Sequence, residues 1–231
     1  MSVASIWLRV ANGIEILSGK GAAVWNEPPA VAHALRELLS VLAMTHVQID
    51  LAPLRARASP AASWRAVLTR EGDWGELWRE LGAAVADAAR GRAVWGLGLP
   101  GPDAVAAELG DPSERGALKA GLQLAGFLQG FREAGLGFVS VDLRGGGAAE
   151  KAIAPIFRNA QMYGWTRVAM VADESASTAG ADVRLVGGLS DRFWSGAESP
   201  ARATIVFGEI PAGIDAAAIV AAGRALRAAT S

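Results

Sequence analysis

Short apolar runs that stop abruptly alternate along the chain with longer stretches whose apolar positions recur every three to four residues. Runs of the first kind read as strands of a buried parallel sheet; stretches of the second kind read as helices crossing between them. Seven runs qualify, at 3–10, 46–51, 93–99, 137–143, 167–172, 183–186 and 204–207. Two are sharply bounded. The third closes in Pro100-Gly101-Pro102, and the fourth in Asp142-Leu143-Arg144 followed by three glycines. The helical stretches begin at Asn26-Glu27-Pro28-Pro29, where Asn26 is a candidate cap and the prolines suit a first turn. That helix is expected to run to about Met44, with Val31, Leu35, Leu38, Leu39 and Leu42 on one face.

Further helices are expected over 73–90, after Pro102, from Asp111-Pro112 to 133, over 148–163 and over 214–228, the last capped by Asp215. The segment 14–25, around Gly19-Lys20-Gly21, reads as a hairpin or a short strand. Strands alternating with helices call for a parallel sheet with helical crossovers. The fold class is therefore α/β, a (β/α)8 barrel of TIM type, shortened or with a strand missed. An open doubly wound parallel sheet is the rival. Against the rival, no Gly-x-Gly-x-x-Gly follows the first strand, and Pro100 intrudes on the partial match at Gly96-Leu-Gly98. No linker, repeat or low-complexity segment divides the chain, so residues 1–231 are expected to form one barrel domain.

Composition narrows the classes. An apolar fraction of 52% against 19% charged fits a large core. A net charge of -1 without a basic run argues against nucleic acid or an anionic membrane as partner. Cysteine is absent, which removes disulfides, thiolate metal sites and a Cys nucleophile. The two histidines, His33 and His46, leave little for a metal centre. No run approaches the roughly 18 apolar residues of a membrane span, and the N-terminus lacks a signal-peptide pattern. A cytoplasmic protein without metal or redox cofactor is the expectation. Ala and Leu on the helix over 114–133 offer a face for a homodimer.

In a barrel the working groups sit at the C-terminal ends of the strands. Those ends carry Arg9 and Asn12, Asp50, Gly101 in its Pro-Gly-Pro turn, Asp142 and Arg144, Asp173 with Glu174, and Glu209. Carboxylates serve as general acids and bases, and arginines grip carboxylates in a planar, two-pronged way. The set suits an anionic small molecule undergoing proton-coupled chemistry, with Asp50, Asp142 and Glu209 as candidate catalytic acids. Arg9, Asn12, Gly101, Arg144 and Asp173 are the candidate substrate-binding residues. Asp50 stands out because it interrupts an apolar run, where a carboxylate is costly to bury without a partner. A structural reading stands beside each residue: a strand-end Asp commonly caps a helix, and Arg144 is an ordinary partner for Asp142. His46 and the Trp74/Trp78 pair read as structural. Ser140 lacks a triad, and the triple glycine reads as a loop.

The order of these strand-end signals resembles the uroporphyrinogen decarboxylase family and its wider superfamily of corrinoid and cobalamin-independent methyltransferases. The likeness is carried by Ile6-Trp-Leu-Arg-Val-Ala11, Val47-Gln-Ile-Asp-Leu51, Gly96-Leu-Gly-Leu-Pro-Gly-Pro102, Phe131-Arg-Glu-Ala-Gly-Leu-Gly-Phe-Val-Ser-Val-Asp142 and Phe207-Gly-Glu-Ile-Pro-Ala-Gly-Ile-Asp215. The resemblance implies a barrel lyase or decarboxylase in which Asp50 holds or protonates the reacting centre while Arg9 and Arg144 bind carboxylates. The chain departs from the family in three places. Gly13 stands where a second arginine is expected, Glu209 where a late histidine is expected, and the sole Tyr163 falls in a helix. Those departures favour a catalytically reduced barrel that binds a ligand or a partner protein as the rival. A corrinoid-dependent methyltransferase, with a metal held by carboxylates and His46, is a third option.

Overall fold

The computed structural model describes residues 5–51, 64–69, 74–145, 150–173, 180–200 and 205–230. Its seven strands are β1 (Ser5–Arg9), β2 (His46–Asp50), β3 (Val94–Pro100), β4 (Phe138–Asp142), β5 (Thr166–Val171), β6 (Val183–Val186) and β7 (Ile205–Glu209). Each falls on one of the seven apolar runs. They form one sheet in the order β6-β5-β4-β3-β2-β1-β7, and the pairs β1–β2, β1–β7, β3–β4, β4–β5 and β5–β6 are parallel. A doubly wound sheet reverses its strand order part-way across. Here the order follows the sequence, and the last strand lies beside the first. That is the winding of an α/β barrel of TIM type, shortened to seven strands among the described residues.

The helices are α1 (Ala11–Ser18), α2 (Pro28–Val41), α3 (Trp64–Thr69), α4 (Trp74–Ala89), α5 (Pro102–Glu108), α6 (Glu114–Leu128), α7 (Glu150–Met162), α8 (Asp191–Trp194) and α9 (Ala216–Thr230). Four points correct the expectations from sequence. The segment expected as a hairpin is α1 followed by a 3-10 turn over Gly21–Asn26. Ile14 is buried on α1, and Gly19, at φ 66°, closes it in the left-handed conformation that glycine takes without a Cβ penalty. Residue Glu27, not Asn26, precedes α2, without a side-chain cap, and the helix ends at Val41 rather than near Met44. Ser113 caps α6, accepting a hydrogen bond from the Gly116 N–H, within the Asp111–Glu114 start expected from sequence. The helix stops at Leu128, where a 3-10 turn over Gln129–Phe131 takes over. Helices α3 and α8 went unread because each is under two turns long, too short to repeat an apolar period. The expected cap at Asp215 is present, accepting from the Ala218 N–H at 2.7 Å.

The chain gathers into two compact units. The first comprises Met1–Ile49, Ala83–Trp95 and Gly187–Ser231, and holds β1, β7 and most of β2. Its core includes Ile6, Leu8, Ile14, Leu35 and Leu38, each with at most 1% of its surface exposed. The second comprises Asp50–Gly82 and Gly96–Val186, and holds β4 to β6 and most of β3. In its core Trp78 meets Phe127 and Phe131 edge-on, at centroid distances of 5.7 and 5.9 Å. Trp78 is thus a core residue, as the helical spacing of the tryptophans predicted. No described helix is long and apolar enough to cross a membrane.

Candidate functional site

Register decides which side chains share a face, because paired residues of parallel strands point the same way and alternate along each strand. In the first unit Arg9 of β1 pairs in register with Gln48 of β2 and with Glu209 of β7. One step back, Trp7 pairs with His46 and with Phe207. Two rows therefore stand on one face. The polar row Glu209–Arg9–Gln48 lies at the C-terminal ends of the strands, and the aromatic row Phe207–Trp7–His46 lies beneath it.

The polar row is closely tied. Arg9 Nη1 donates to Glu209 Oε2 at 2.6 Å across 200 residues of sequence. Burial within the pair is uneven: the Arg9 side chain is 12% exposed and that of Glu209 is 45% exposed. An ion pair open to water on one side contributes at most about 1 kcal/mol. Gln48 is 2% exposed. Beside the row, Asn12 of α1 donates from Nδ2 to the Ile210 carbonyl at 2.8 Å, pinning the chain just after β7. Gly13 lets α1 sit close there, since a Cβ would lie 2.6 Å from Ile210 Cδ1.

In the aromatic row Trp7 and His46 lie face to face, with ring centroids 3.7 Å apart and planes 3° from parallel. Thr45 Oγ1 accepts from the Ile6 N–H at 2.9 Å and lies 3.0 Å from the Ile6 carbonyl oxygen. It also lies 2.9 Å from His46 Nδ1, which ties the imidazole to the start of β2. Burial holds its pKa below the ordinary 6.5, keeping the ring neutral.

The second unit holds another acid–arginine pair. Asp142 ends β4, and Arg144 forks back onto it, with Nε to Oδ1 at 2.9 Å and Nη2 to Oδ2 at 2.6 Å. The Arg144 backbone N–H also reaches Oδ1, at 3.1 Å. Next to it, Pro100 pairs in register with Asp142. Gly101 passes so near that a Cβ would meet the Asp142 carbonyl oxygen at 2.8 Å. Asp50 ends β2 with 4% of its surface exposed, and Asp173 follows β5 on the surface.

Each predicted residue is thus placed. The structure joins Arg9 to Glu209, Arg144 to Asp142, and Asn12 to the turn after β7. Gly101 packs on Asp142. Glu174 and two of the three glycines, Gly146 and Gly147, lie outside the described residues, as do Arg55, Arg57 and Pro60. Ser140 is fully buried on β4, its hydroxyl without a hydrogen-bond partner among the described residues. His33 is exposed on α2, 3.4 Å from Glu37. Among the described residues no group of three His, Asp or Glu side chains is arranged to hold a metal ion.

Sequence reasoning missed Gln48 and the use of His46. The signal was present: Gln48 and Asp50 alternate with apolar residues in Val47-Gln-Ile-Asp-Leu51, which places both on one face of β2. A buried amide two residues before a buried acid marks a polar face as clearly as the acid alone.

No protein-family model matches the chain, and no curated protein matches it. Among solved structures it is similar to a mandelate racemase/muconate lactonizing enzyme from Jannaschia sp. CCS1, at 15% identity and a TM-score of 0.36. That likeness covers 90% of this chain and 55% of the other. It is also similar to a putative dehydratase from Mesorhizobium loti, at 16% identity and a TM-score of 0.33, over 80% of this chain and 55% of that one. The chain thus matches about half the length of each. Neither is a uroporphyrinogen decarboxylase, and likeness of this degree assigns neither chemistry nor substrate.

Proposed function

We propose that the chain is a lyase acting, without a redox cofactor, on a small molecule bearing carboxylates. Its working site is the row Glu209–Arg9–Gln48. The observation that carries this reading is the ion pair of 2.6 Å between a mostly buried Arg9 and a half-exposed Glu209 at the ends of β1 and β7. A guanidinium is a carboxylate receptor, and an acid beside it is placed to move a proton.

The natural step is decarboxylation. Arg9 holds one carboxylate of the substrate, and the carbon–carbon bond to a second carboxyl group breaks. Carbon dioxide leaves, and the electron pair stays on the substrate carbon. Glu209 relays a proton from water to that carbon, leaving hydroxide that takes up the carbon dioxide as bicarbonate. The resemblance of the segment around Arg9 to the uroporphyrinogen decarboxylase family supports the same class, although Glu209 stands where that family is expected to carry a histidine.

Incubation of the protein with small di- and tricarboxylic acids in deuterated water tests the reading. It predicts carbon dioxide release and deuterium on the product carbon, with Glu209→Gln slower by about a hundredfold or more. Equal rates for the variant and the natural protein would sink it. Asp50→Asn and Asp142→Asn in the same assay ask whether the acids of the second unit take part. A second reading, a catalytically reduced barrel that only binds a ligand, is favoured by the Asp142–Arg144 fork, whose charges are matched internally. Saturable binding without turnover would favour it.

A further inference from the structure

Ile210 follows Glu209 directly and is wholly buried. The short segment from Arg9 to Gly13 holds it at three points. Its N–H donates to the Arg9 carbonyl at 3.2 Å. Its carbonyl accepts from Asn12 Nδ2 at 2.8 Å. Its side chain packs over Gly13, where a Cβ would lie 2.6 Å from Ile210 Cδ1. The second of these contacts is a substitution of side chain for backbone. In a parallel ladder the N–H and C=O of one residue bond to two residues of the next strand, two positions apart. The Ile210 N–H reaches Arg9, so its carbonyl would next take the N–H of residue 11. The chain turns into α1 at Ala11, and the side-chain amide of Asn12 takes that place. The β1–β7 ladder is carried one bond further, at the point where Glu209 meets Arg9.

Both members of the ion pair are tied to this clasp. Arg9 meets the end of β7 twice, through Nη1 to the Glu209 carboxylate at 2.6 Å and through its carbonyl to the Ile210 N–H. The Glu209 side chain is 45% exposed. A half-exposed side chain has little packing to fix it, so the backbone that carries it sets where its carboxylate can reach. We infer that Asn12 is a positioning residue: its amide locks the peptide after Glu209 and so holds the Glu209 carboxylate on Arg9. This rests on the site proposed above and deepens it. It takes Asn12 out of the substrate-binding set expected from sequence and gives it a role exerted through Glu209.

The coupling between Arg9 and Glu209 reads that role without any need for turnover. A double-mutant cycle of Arg9→Met and Glu209→Gln should show a coupling of about fivefold in the unfolding equilibrium in urea. In an Asn12→Ala background the same cycle should show less than about twofold. Alanine is the best helix former, so the change spares α1 itself. A hydrogen bond that only adds stability would weaken every corner of the cycle alike and leave the coupling at about fivefold; that result would overturn the inference. Asn12→Gln, which keeps the donor on a longer arm, should restore part of the coupling. Asn12→Leu, which fills the amide's volume without its donor, repeats the comparison if the alanine variant fails to fold. In the deuterium assay Asn12→Ala should lower kcat about tenfold, and should slow the Glu209→Gln variant no further. A raised KM that persists in Glu209→Gln would make Asn12 a substrate contact and would also overturn the inference. Lost coupling with no turnover of any acid would discard the lyase reading and keep the role of Asn12. Turnover with the coupling intact would do the reverse.

Discussion

The two acid–arginine pairs use the same chemistry for different ends. Asp142 and Arg144 are two residues apart and close a local loop, with three donor contacts from Arg144 to one carboxylate. Their exposures are similar, 25% and 36%. Arg9 and Glu209 are 200 residues apart, meet at 2.6 Å and are unequal in burial. A matched local fork is a turn lock whose partners move together. A long-range pair of unequal burial has one enclosed member and one member open to water. The difference separates an arginine that shapes a loop from one that can accept a ligand.

The largest predicted effect concerns the scaffolds of the two pairs. Gly101 leaves no room for a side chain beside the Asp142 carbonyl oxygen, a backbone atom that cannot step aside. Gly101→Val should cost about 1–3 kcal/mol in urea unfolding. Gly13→Ala meets only side-chain ends of Ile210 and Leu38, so its cost should be smaller. A Gly13→Ala penalty equal to that of Gly101→Val would erase this contrast.

Next come the pairs themselves. A double-mutant cycle on Arg9 and Glu209 should return a coupling of about 1 kcal/mol, since the cation is mostly buried. The cycle on Asp142 and Arg144 should return about 0.5 kcal/mol. Both should shrink as salt rises. The opposite order would mean that burial of Arg9 adds nothing to its attraction for Glu209.

The two units should also differ in acid response. Asp182, in the second unit, is held down to about 2 by its hydrogen bonds from Arg167, at 2.5 and 2.9 Å. With its folded pKa lowered, its contribution is present above the unfolded value near 4 and is lost as pH falls through about 2. Half-open to water, it should be worth less than about 1 kcal/mol. Asp182→Asn should remove that much at pH 7 and little at pH 2. His46, in the first unit, is kept neutral by burial. Below 6.5 the unfolded chain takes up a proton that the folded one refuses, so stability falls as pH falls below 6.5. His46→Gln should flatten the unfolding curve in that window, and an unchanged slope would remove His46 as its cause.

Sequence pattern alone located all seven strands, because buried parallel strands need continuous apolar runs that end sharply. It also exposed the strand-end charges, since each ends such a run. It misread residues 14–25, where Gly19 and Gly21 looked like a hairpin turn yet serve a helix end and a 3-10 turn. It listed Arg9 and Glu209 separately, because nothing local links residues that far apart; only the β1–β7 register does. Gln48 escaped notice because an amide in an apolar run looks tolerable until its burial and its place beside Arg9 are known.

The most direct test of the central claim is a crystal structure with benzoate bound. The account predicts the carboxylate on Arg9, beside Glu209, with the Asp142–Arg144 fork intact. A carboxylate held by Arg144 with that fork opened, beside an undisturbed Arg9–Glu209 pair, would contradict it.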